Sequence, residues 1–187
     1  MNGIDDLISD ATRRMDKSVE STQVEFNTVR TGRASAALLD RIAVDYYGQQ
    51  TPLKQLATIN VPEPRMLTVQ PFDPSSIKEI ERAIQESELG LTPSNDGKVI
   101  RLPIPQLTEE RRKDLVKIVR QIAEDGKVAI RNVRRDADKH LKELKTKGDV
   151  GADDERRAEE RVQKLTDEHT SKIDDLLRRK ETEITEV

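Results

Sequence analysis

The sequence predicts an α+β fold, an elongated antiparallel three-helix bundle with a small β/α/β domain inserted into it. Two observations lead to this prediction. All eight prolines lie between Thr51 and Gln106, and because proline breaks helix interiors, long helices are possible only in the two flanks. In those flanks apolar residues recur every three or four positions, as in amphipathic helices, whereas in the middle apolar and polar residues alternate, as in half-buried strands.

The first flank is predicted to be a single helix over residues 1–30, about 45 Å long at 1.5 Å per residue. Its apolar stripe consists of Ile4, Ile8, Ala11, Met15, Val19, Thr22, Phe26 and Val29. A helix with such a stripe needs other helices to cover it.

The second flank, residues 106–187, is predicted to form two helices separated by a loop at Gly148 and Gly151. The apolar stripe of the first comprises Leu115, Val119, Ile122, Ala129, Val133, Ala137, Leu141 and Leu144. The stripe of the second comprises Ala158, Val162, Leu165, His169, Ile173, Leu176, Lys180 and Ile184. Gly126 also lies on the first stripe, where it either allows another helix to approach closely or marks a small bend. Packing of these two helices on the first flank gives the bundle.

The middle, residues 31–105, is predicted to be the inserted domain. Strands are expected in "RIAVDYYG", "LATINV", "MLTVQPF" and "GKVIRLPI", and a short helix in "SSIKEIERAIQES". Ser76 and Glu79 have the spacing of a capping box at the start of that helix. The bundle domain then comprises residues 1–30 and 106–187, and the chain crosses between the domains at "RTGR" and "LPIPQ".

Composition argues against several functional classes. The chain has no cysteine, so thiolate chemistry and disulfides are excluded. The two histidines are in no metal-ligand spacing, and His169 on an apolar stripe is better explained as a residue of the core or its rim than as a catalytic one. No phosphate-binding loop or catalytic constellation is recognisable. We therefore expect a protein that is not an enzyme, that needs no cofactor, and that is cytoplasmic with no membrane span or signal peptide.

The charges are distributed unevenly along the chain. The net charge is −3, yet residues 106–147 carry 13 cations and 8 anions, while residues 148–187 carry 8 cations and 13 anions. A helical wheel places six cations of the second helix in a sector of about 100°, away from its apolar stripe. This basic stripe consists of Lys127, Arg131, Arg134, Arg135, Lys142 and Lys145. It is either a solvated face, a face neutralised by the acidic third helix, or a surface for a polyanion, which is an RNA backbone or an acidic protein surface.

Four segments in order, "VRTGRASAALLD", "YYGQQTPLKQLA", "LTEERRKDLVKIV" and "RNVRRDA", resemble the bacterial and organellar ribosome recycling factor family. The resemblance covers essentially the whole chain. It implies an L-shaped molecule similar in outline to a transfer RNA, which binds post-termination ribosomes on the RNA of the large subunit. With elongation factor G, whose GTP hydrolysis drives the process, such a factor splits the subunits so that messenger and transfer RNA leave.

The resemblance and the basic stripe together predict the site residues. The RNA-binding residues are Arg131, Arg134 and Arg135, with Lys127 and Lys142 on the same stripe and Arg30 and Arg33 near the end of the bundle; Arg134 is the first choice. A hinge between the domains is predicted at Thr31, Gly32, Pro103, Ile104 and Pro105. Ala36 and Gln106 depart from prolines that are common in the family. We expect a monomer; the alternative function is a coiled-coil scaffold or adaptor without ribosome binding.

Overall fold

The computed structural model describes residues 3–186, which form two compact units. One unit contains the chain up to Arg30 together with Glu110–Thr185. The other contains Thr31–Glu109. Helices and strands are numbered in chain order.

Three long helices make up the first unit: α1 (Ile4–Thr28), α3 (Glu109–Thr146) and α4 (Ala152–Thr185). Their directions follow from residue pairs along their length. Arg14 of α1 pairs with Asp136 of α3, and Thr22 lies beside Gly126, so α1 and α3 are antiparallel. Ion pairs show in the same way that α3 is antiparallel to α4. The predicted three-helix bundle is therefore confirmed, and no helix within residues 3–186 is long and apolar enough to cross a membrane.

The interior of the bundle follows most of the predicted stripes, with a correction in α3. Leu115, Val119, Gly126, Val133, Ala137 and Leu141 are buried as predicted, but the middle of the helix buries Ala123 and Ile130 in place of Ile122 and Ala129. The reason is packing at Gly126, where Thr22 of α1 and Ile173 of α4 approach the α3 backbone. That contact rotates the side of α3 that contains the glycine into the core.

Helix α4 also buries a polar residue that the pattern did not predict. Thr166 is 4% exposed, and its hydroxyl donates to the carbonyl oxygen of Val162 at 2.8 Å. Because the hydroxyl is satisfied within its own helix, it can enter the core at little cost.

The second unit contains a hairpin, a sheet and one helix. The hairpin pairs β1 (Ala43–Tyr46) with β2 (Gln49–Pro52). The antiparallel sheet has the order β3 (Ala57–Glu63), β4 (Met66–Pro71), β6 (Ile100–Pro103), β5 (Ser94–Asn95). Helix α2 spans Ile77–Gln85 and belongs to the same core as the sheet, a cluster that includes the fully buried Val44, Leu67, Val69, Ile80, Ile84, Ile100 and Leu102. The predicted α+β fold class is confirmed.

The start of α2 differs from the prediction. Ser76 makes no side-chain cap; its hydroxyl donates to the carbonyl oxygen of Asp73 at 2.6 Å. Asp73 instead caps the short 3-10 turn Pro74–Ser76 by accepting the backbone N–H of Ser75 at 3.0 Å. The predicted capping box of Ser76 and Glu79 is wrong, because the chain enters α2 through this turn rather than from an extended residue.

Candidate nucleic-acid interface

Two lysines of the basic stripe on α3 face α4, and carboxylates of α4 neutralise their charges. Lys127 Nζ lies 2.8 Å from Oδ1 of Asp174, and Lys145 Nζ lies 3.3 Å from Oε2 of Glu155. The side chain of Lys127 is only 20% exposed. The interpretation that the acidic third helix offsets the basic one therefore holds for these two lysines.

Arg131 is also paired, but within its own helix. Its Nη1 lies 3.1 Å from Oε1 of Glu124, two turns earlier on α3. Both side chains are about half exposed, and such surface pairs stabilise by about 0–1 kcal/mol. A phosphate could replace the Glu124 carboxylate at small cost.

The other predicted cations of the stripe have no ion pair within residues 3–186. Arg134 donates to the amide oxygen of Gln163 on α4 at 3.3 Å, and Arg135 donates to Oδ1 of Asn132 at 3.5 Å. Lys142 is exposed, and so is Lys139, a cation of the same helix that the predicted site did not include. We name these four residues, Arg134, Arg135, Lys139 and Lys142, the open cation cluster. It extends about 12 Å along α3 at 1.5 Å per residue.

One carboxylate lies inside this cluster. Asp138 lines a groove between α3 and α4 together with Arg134 and Lys142. Burial raises the pKa of Asp138, and the charges of Arg134 and Lys142 act in the opposite direction. The carboxylate of Asp138 therefore offsets part of the positive charge of Arg134 and Lys142. Arg135 and Lys139 do not line this groove and are exposed.

The other two predicted RNA-binding arginines, Arg30 and Arg33, lie outside α3. Arg30 follows the C-terminal end of α1, which lies beside the N-terminal half of α3 because the two helices are antiparallel. Arg134 lies in the C-terminal half of α3, on the order of 20 Å from that end. Arg33 belongs to the second unit. Both residues are exposed, but the structure does not bring Arg30 together with the α3 arginines.

The predicted hinge residues are tied to the turn between β3 and β4. The backbone N–H of Ala34 donates to the carbonyl oxygen of Pro64 at 2.7 Å, and that of Ile104 donates to the carbonyl oxygen of Arg65 at 2.8 Å. Pro103 pairs with Met66 at the end of the β4–β6 ladder. These bonds hold Ile104 within the second unit.

The first connecting segment, which contains Thr31 and Gly32, is closely packed. Gly32 has a φ of +77°, and a Cβ at this position would lie 2.9 Å from Cγ of Leu107. Thr31 beside it is 6% exposed. Of the predicted hinge residues, Pro105 is the one that is exposed and outside a strand.

His169 is a buried residue of the bundle. His169 is 3% exposed, with Nδ1 2.7 Å from the carbonyl oxygen of Leu165 and Nε2 2.6 Å from Oδ1 of Asp16 on α1. The core role predicted for His169 is confirmed. Across the part of the chain that the structure describes, no group of His, Asp or Glu could hold a metal ion.

Comparison with known proteins gives one family. The family model described as "Ribosome recycling factor" matches residues 22–185. A ribosome-recycling factor from Rubrobacter xylanophilus is 54% identical over 187 residues, covering 100% of both chains. One from Halalkalibacterium halodurans is 57% identical, over 97% of this chain and 98% of that protein. One from Synechocystis is 58% identical, over 92% of this chain and 95% of that protein.

Solved structures agree with the sequence relatives. A solution structure of a ribosome recycling factor is similar with a TM-score of 0.74 and 43% identity, covering 100% of both chains. A second similar structure is a model of the Thermus thermophilus ribosome recycling factor with the Escherichia coli elongation factor G, bound to the E. coli post-termination complex. It has a TM-score of 0.64 and 48% identity over 97% of this chain and 98% of that one.

Proposed function

The chain belongs to the ribosome recycling factor family, and from that membership we propose that it binds the post-termination ribosome on the RNA of the large subunit and takes part in splitting the subunits. Messenger and transfer RNA then leave, and the subunits become available for a new round of translation. The process takes place in the cytoplasm. The family is one of non-enzymatic translation factors, so the work of this chain is binding and positioning.

The observation that carries the RNA-binding part is the open cation cluster. Arg134, Arg135, Lys139 and Lys142 project from one rigid helix, and none forms an ion pair within residues 3–186. Guanidinium and ammonium groups on a rigid scaffold bind phosphate oxygens and release the counterions of the RNA, which supplies affinity without base readout. The chain has only four Phe, Tyr and Trp residues in all, so base stacking is a minor contribution.

The partner in splitting is elongation factor G. The Thermus thermophilus relative was placed with elongation factor G on a post-termination complex, and we assign the same partner to this chain. GTP hydrolysis by that factor supplies the energy. This chain supplies a rigid bundle that contacts the ribosome and a second unit that can be displaced.

The displacement requires a hinge. The backbone bonds of Ala34 and Ile104 to the β3–β4 turn hold both crossings to the second unit. We therefore narrow the predicted hinge to the residues between these bonds and the bundle helices. These residues are Thr31 and Gly32 on the first connecting segment and Pro105 on the second. The competing hypothesis is a fixed connection in which glycine and proline only end the helices.

A subunit-splitting assay tests the proposal. Post-termination ribosomes are mixed with elongation factor G, GTP and the factor, and dissociation is followed by light scattering. We expect Arg134→Ala/Arg135→Ala to reduce the splitting rate at low factor concentration and to recover most of it at high concentration, because binding is weakened and not the later step.

The matched control is Arg178→Ala/Arg179→Ala, which removes two exposed cations from α4. It should split ribosomes at the rate of the native protein. Equal loss of activity in both double variants would show that total charge, and not the open cation cluster, determines binding. Native activity in the Arg134→Ala/Arg135→Ala variant would overturn the proposed site.

A further inference from the structure

The ion pairs between α3 and α4 follow a regular register. Arg120 Nε lies 2.7 Å from Oε1 of Glu181, and Lys127, seven residues later, pairs with Asp174, seven residues earlier. Because the helices are antiparallel, one step of seven on α3 matches one step of seven back on α4. The next step along this register brings Arg134 level with Asp167.

Arg134 does not pair with Asp167. Its Nη1 donates instead to Oε1 of Gln163, one turn earlier on α4, at 3.3 Å. The Nε2 of the same amide donates to Oδ1 of Asp167 at 2.9 Å. Gln163 therefore binds both the guanidinium of Arg134 and the carboxylate of Asp167, the two groups that the register would otherwise pair with each other.

Only a side chain with a donor and an acceptor can hold both groups. A guanidinium has donors only and an ionised carboxylate has acceptors only, so the amide oxygen must face Arg134 and the amide nitrogen must face Asp167. Glutamate at this position would attract Arg134 and repel Asp167. Glutamine is neutral, and with it in place Arg134 forms no ion pair with a carboxylate within residues 3–186.

We propose that Gln163 is a positioning residue that holds Asp167 away from Arg134 and so keeps the Arg134 guanidinium available for an RNA phosphate. This inference rests on the proposed function, in which Arg134 is the principal RNA ligand. The bond from Arg134 to the neutral amide uses one of the five N–H donors of the guanidinium and brings no counter-charge to it. The arginine is thus oriented on the surface of α3 and can still transfer to a phosphate.

The first test is Gln163→Glu, measured as affinity for purified large ribosomal subunits by sedimentation at fixed salt. The new carboxylate pairs with Arg134, and we expect affinity to fall by about tenfold, as expected when a charge-assisted contact is lost. The control is Gln121→Glu. Gln121 also donates to an aspartate one turn later, Asp125, at 2.8 Å, but it lies about 20 Å from Arg134 along α3. It should change affinity less than twofold.

A second pair of variants separates positioning from the simple addition of charge. Gln163→Ala frees Asp167 to pair with Arg134 and should also weaken binding, whereas Gln163→Ala/Asp167→Asn should restore native affinity. Far-ultraviolet circular dichroism checks that each variant keeps its helices; both residues are exposed, so the fold is expected to persist.

A double-mutant cycle distinguishes failure of the inference from failure of the proposed function. In an Arg134→Ala background, Gln163→Glu should have no further effect. If it weakens binding there by the same factor as in the native background, it acts through general charge and the inference is wrong. If Arg134→Ala weakens binding but Gln163→Glu does not, the inference alone fails. If Arg134→Ala itself has no effect, the RNA-binding assignment fails first.

Discussion

Gly126 of α3 is in direct contact with Thr22 of α1. A Cβ built at Gly126 would overlap Oγ1 of Thr22 and would lie 2.9 Å from Cδ1 of Ile173 on α4. Of the two sequence-based interpretations of this glycine, the one that allows close approach of another helix is confirmed. The three helices meet closely here, about two turns of α3 before the open cation cluster begins.

Replacing this glycine should therefore destabilise the bundle. Gly126→Ala gains about 1 kcal/mol in helix propensity, but overpacking of a tight core costs about 1–3 kcal/mol, and the overlap with Thr22 places the cost near the upper end. We expect a net loss of about 1–2 kcal/mol in the free energy of unfolding, measured by urea denaturation followed by circular dichroism.

Two variants serve as controls for this prediction. Gly151→Ala, where a Cβ meets nothing within 4 Å, should be close to neutral. Thr22→Ala/Gly126→Ala removes the overlapping hydroxyl and should recover part of the loss. An increase in stability for Gly126→Ala alone would contradict close packing of the three helices at this glycine.

His169 is expected to contribute to stability and not to activity. His169→Ala should lower the free energy of unfolding by about 2–4 kcal/mol, because it leaves a cavity and removes the contact with Asp16. The control is His140→Ala. Nδ1 of His140 also lies near the carbonyl four residues before it, that of Asp136, at 2.7 Å, but His140 is partly exposed, and the change should be within about 0.5 kcal/mol. Equal stabilities of the two variants would argue against a buried α1–α4 contact.

The loop before β6 should show a pH dependence set by Asp96. The backbone N–H groups of Val99 and Lys98, followed by Arg101, lower the pKa of Asp96 from 3.8 to about 2. A lowered folded-state pKa means that the ionised carboxylate stabilises the second unit above the unfolded value, and that this contribution is lost as the pH falls from about 4 toward about 2.

A carbon-13 NMR titration of the Asp96 carboxyl group measures this directly and should give a midpoint near 2. The stability difference between the native protein and Asp96→Asn should be constant near neutral pH and shrink below about pH 4. Arg101→Ala should raise the midpoint only slightly, since the two backbone donors come first. A midpoint at the ordinary aspartate value would show that the loop is open in solution.

The hinge proposal is tested by a disulfide between the two connecting segments. A Cβ at Gly32 would lie 2.9 Å from Cγ of Leu107, so side chains at these two positions are in direct contact, as a disulfide requires, and the chain has no cysteine of its own. Oxidised Gly32→Cys/Leu107→Cys should bind large subunits normally but split ribosomes slowly, and reduction should restore splitting. The reduced double variant and each single variant control for strain at Gly32. Full splitting activity in the oxidised protein would favour the fixed connection.

The long elements were predictable from the sequence because their signals are strong and repeated. The absence of proline from both flanks and the three-to-four spacing of apolar residues predicted α1, α3 and α4 as observed. Strands β2 and β5 were missed for physical reasons. The β2 sequence "QQTP" has no apolar alternation, and β5 has two residues, both exposed, so only pairing with a neighbouring strand identifies them.

The cations of the candidate site could be identified from the sequence, but their ion-pair partners could not. The helical wheel identified the cations of α3, since it depends only on the period of one helix. It gave no information on which carboxylates of α4 lie opposite, so it treated alike Lys127, which forms an ion pair with Asp174, and Arg134, which donates to the neutral Gln163. The register of two antiparallel helices, and with it the role proposed for Gln163, depends on tertiary packing that a single-helix pattern does not contain.

The proposed binding of ribosomal RNA phosphates by Arg134 and its neighbours on α3 should make the affinity of this chain strongly dependent on salt. The affinity for purified large subunits is measured at several salt concentrations for the native chain and for Arg134→Ala. With about three to five phosphates contacted, the plot of log affinity against log salt should have a slope of about −2 to −4. Arg134→Ala should bind more weakly, with a slope about one unit shallower. A flat plot for the native chain, or identical affinity and slope for the two proteins, would contradict phosphate binding by this cluster.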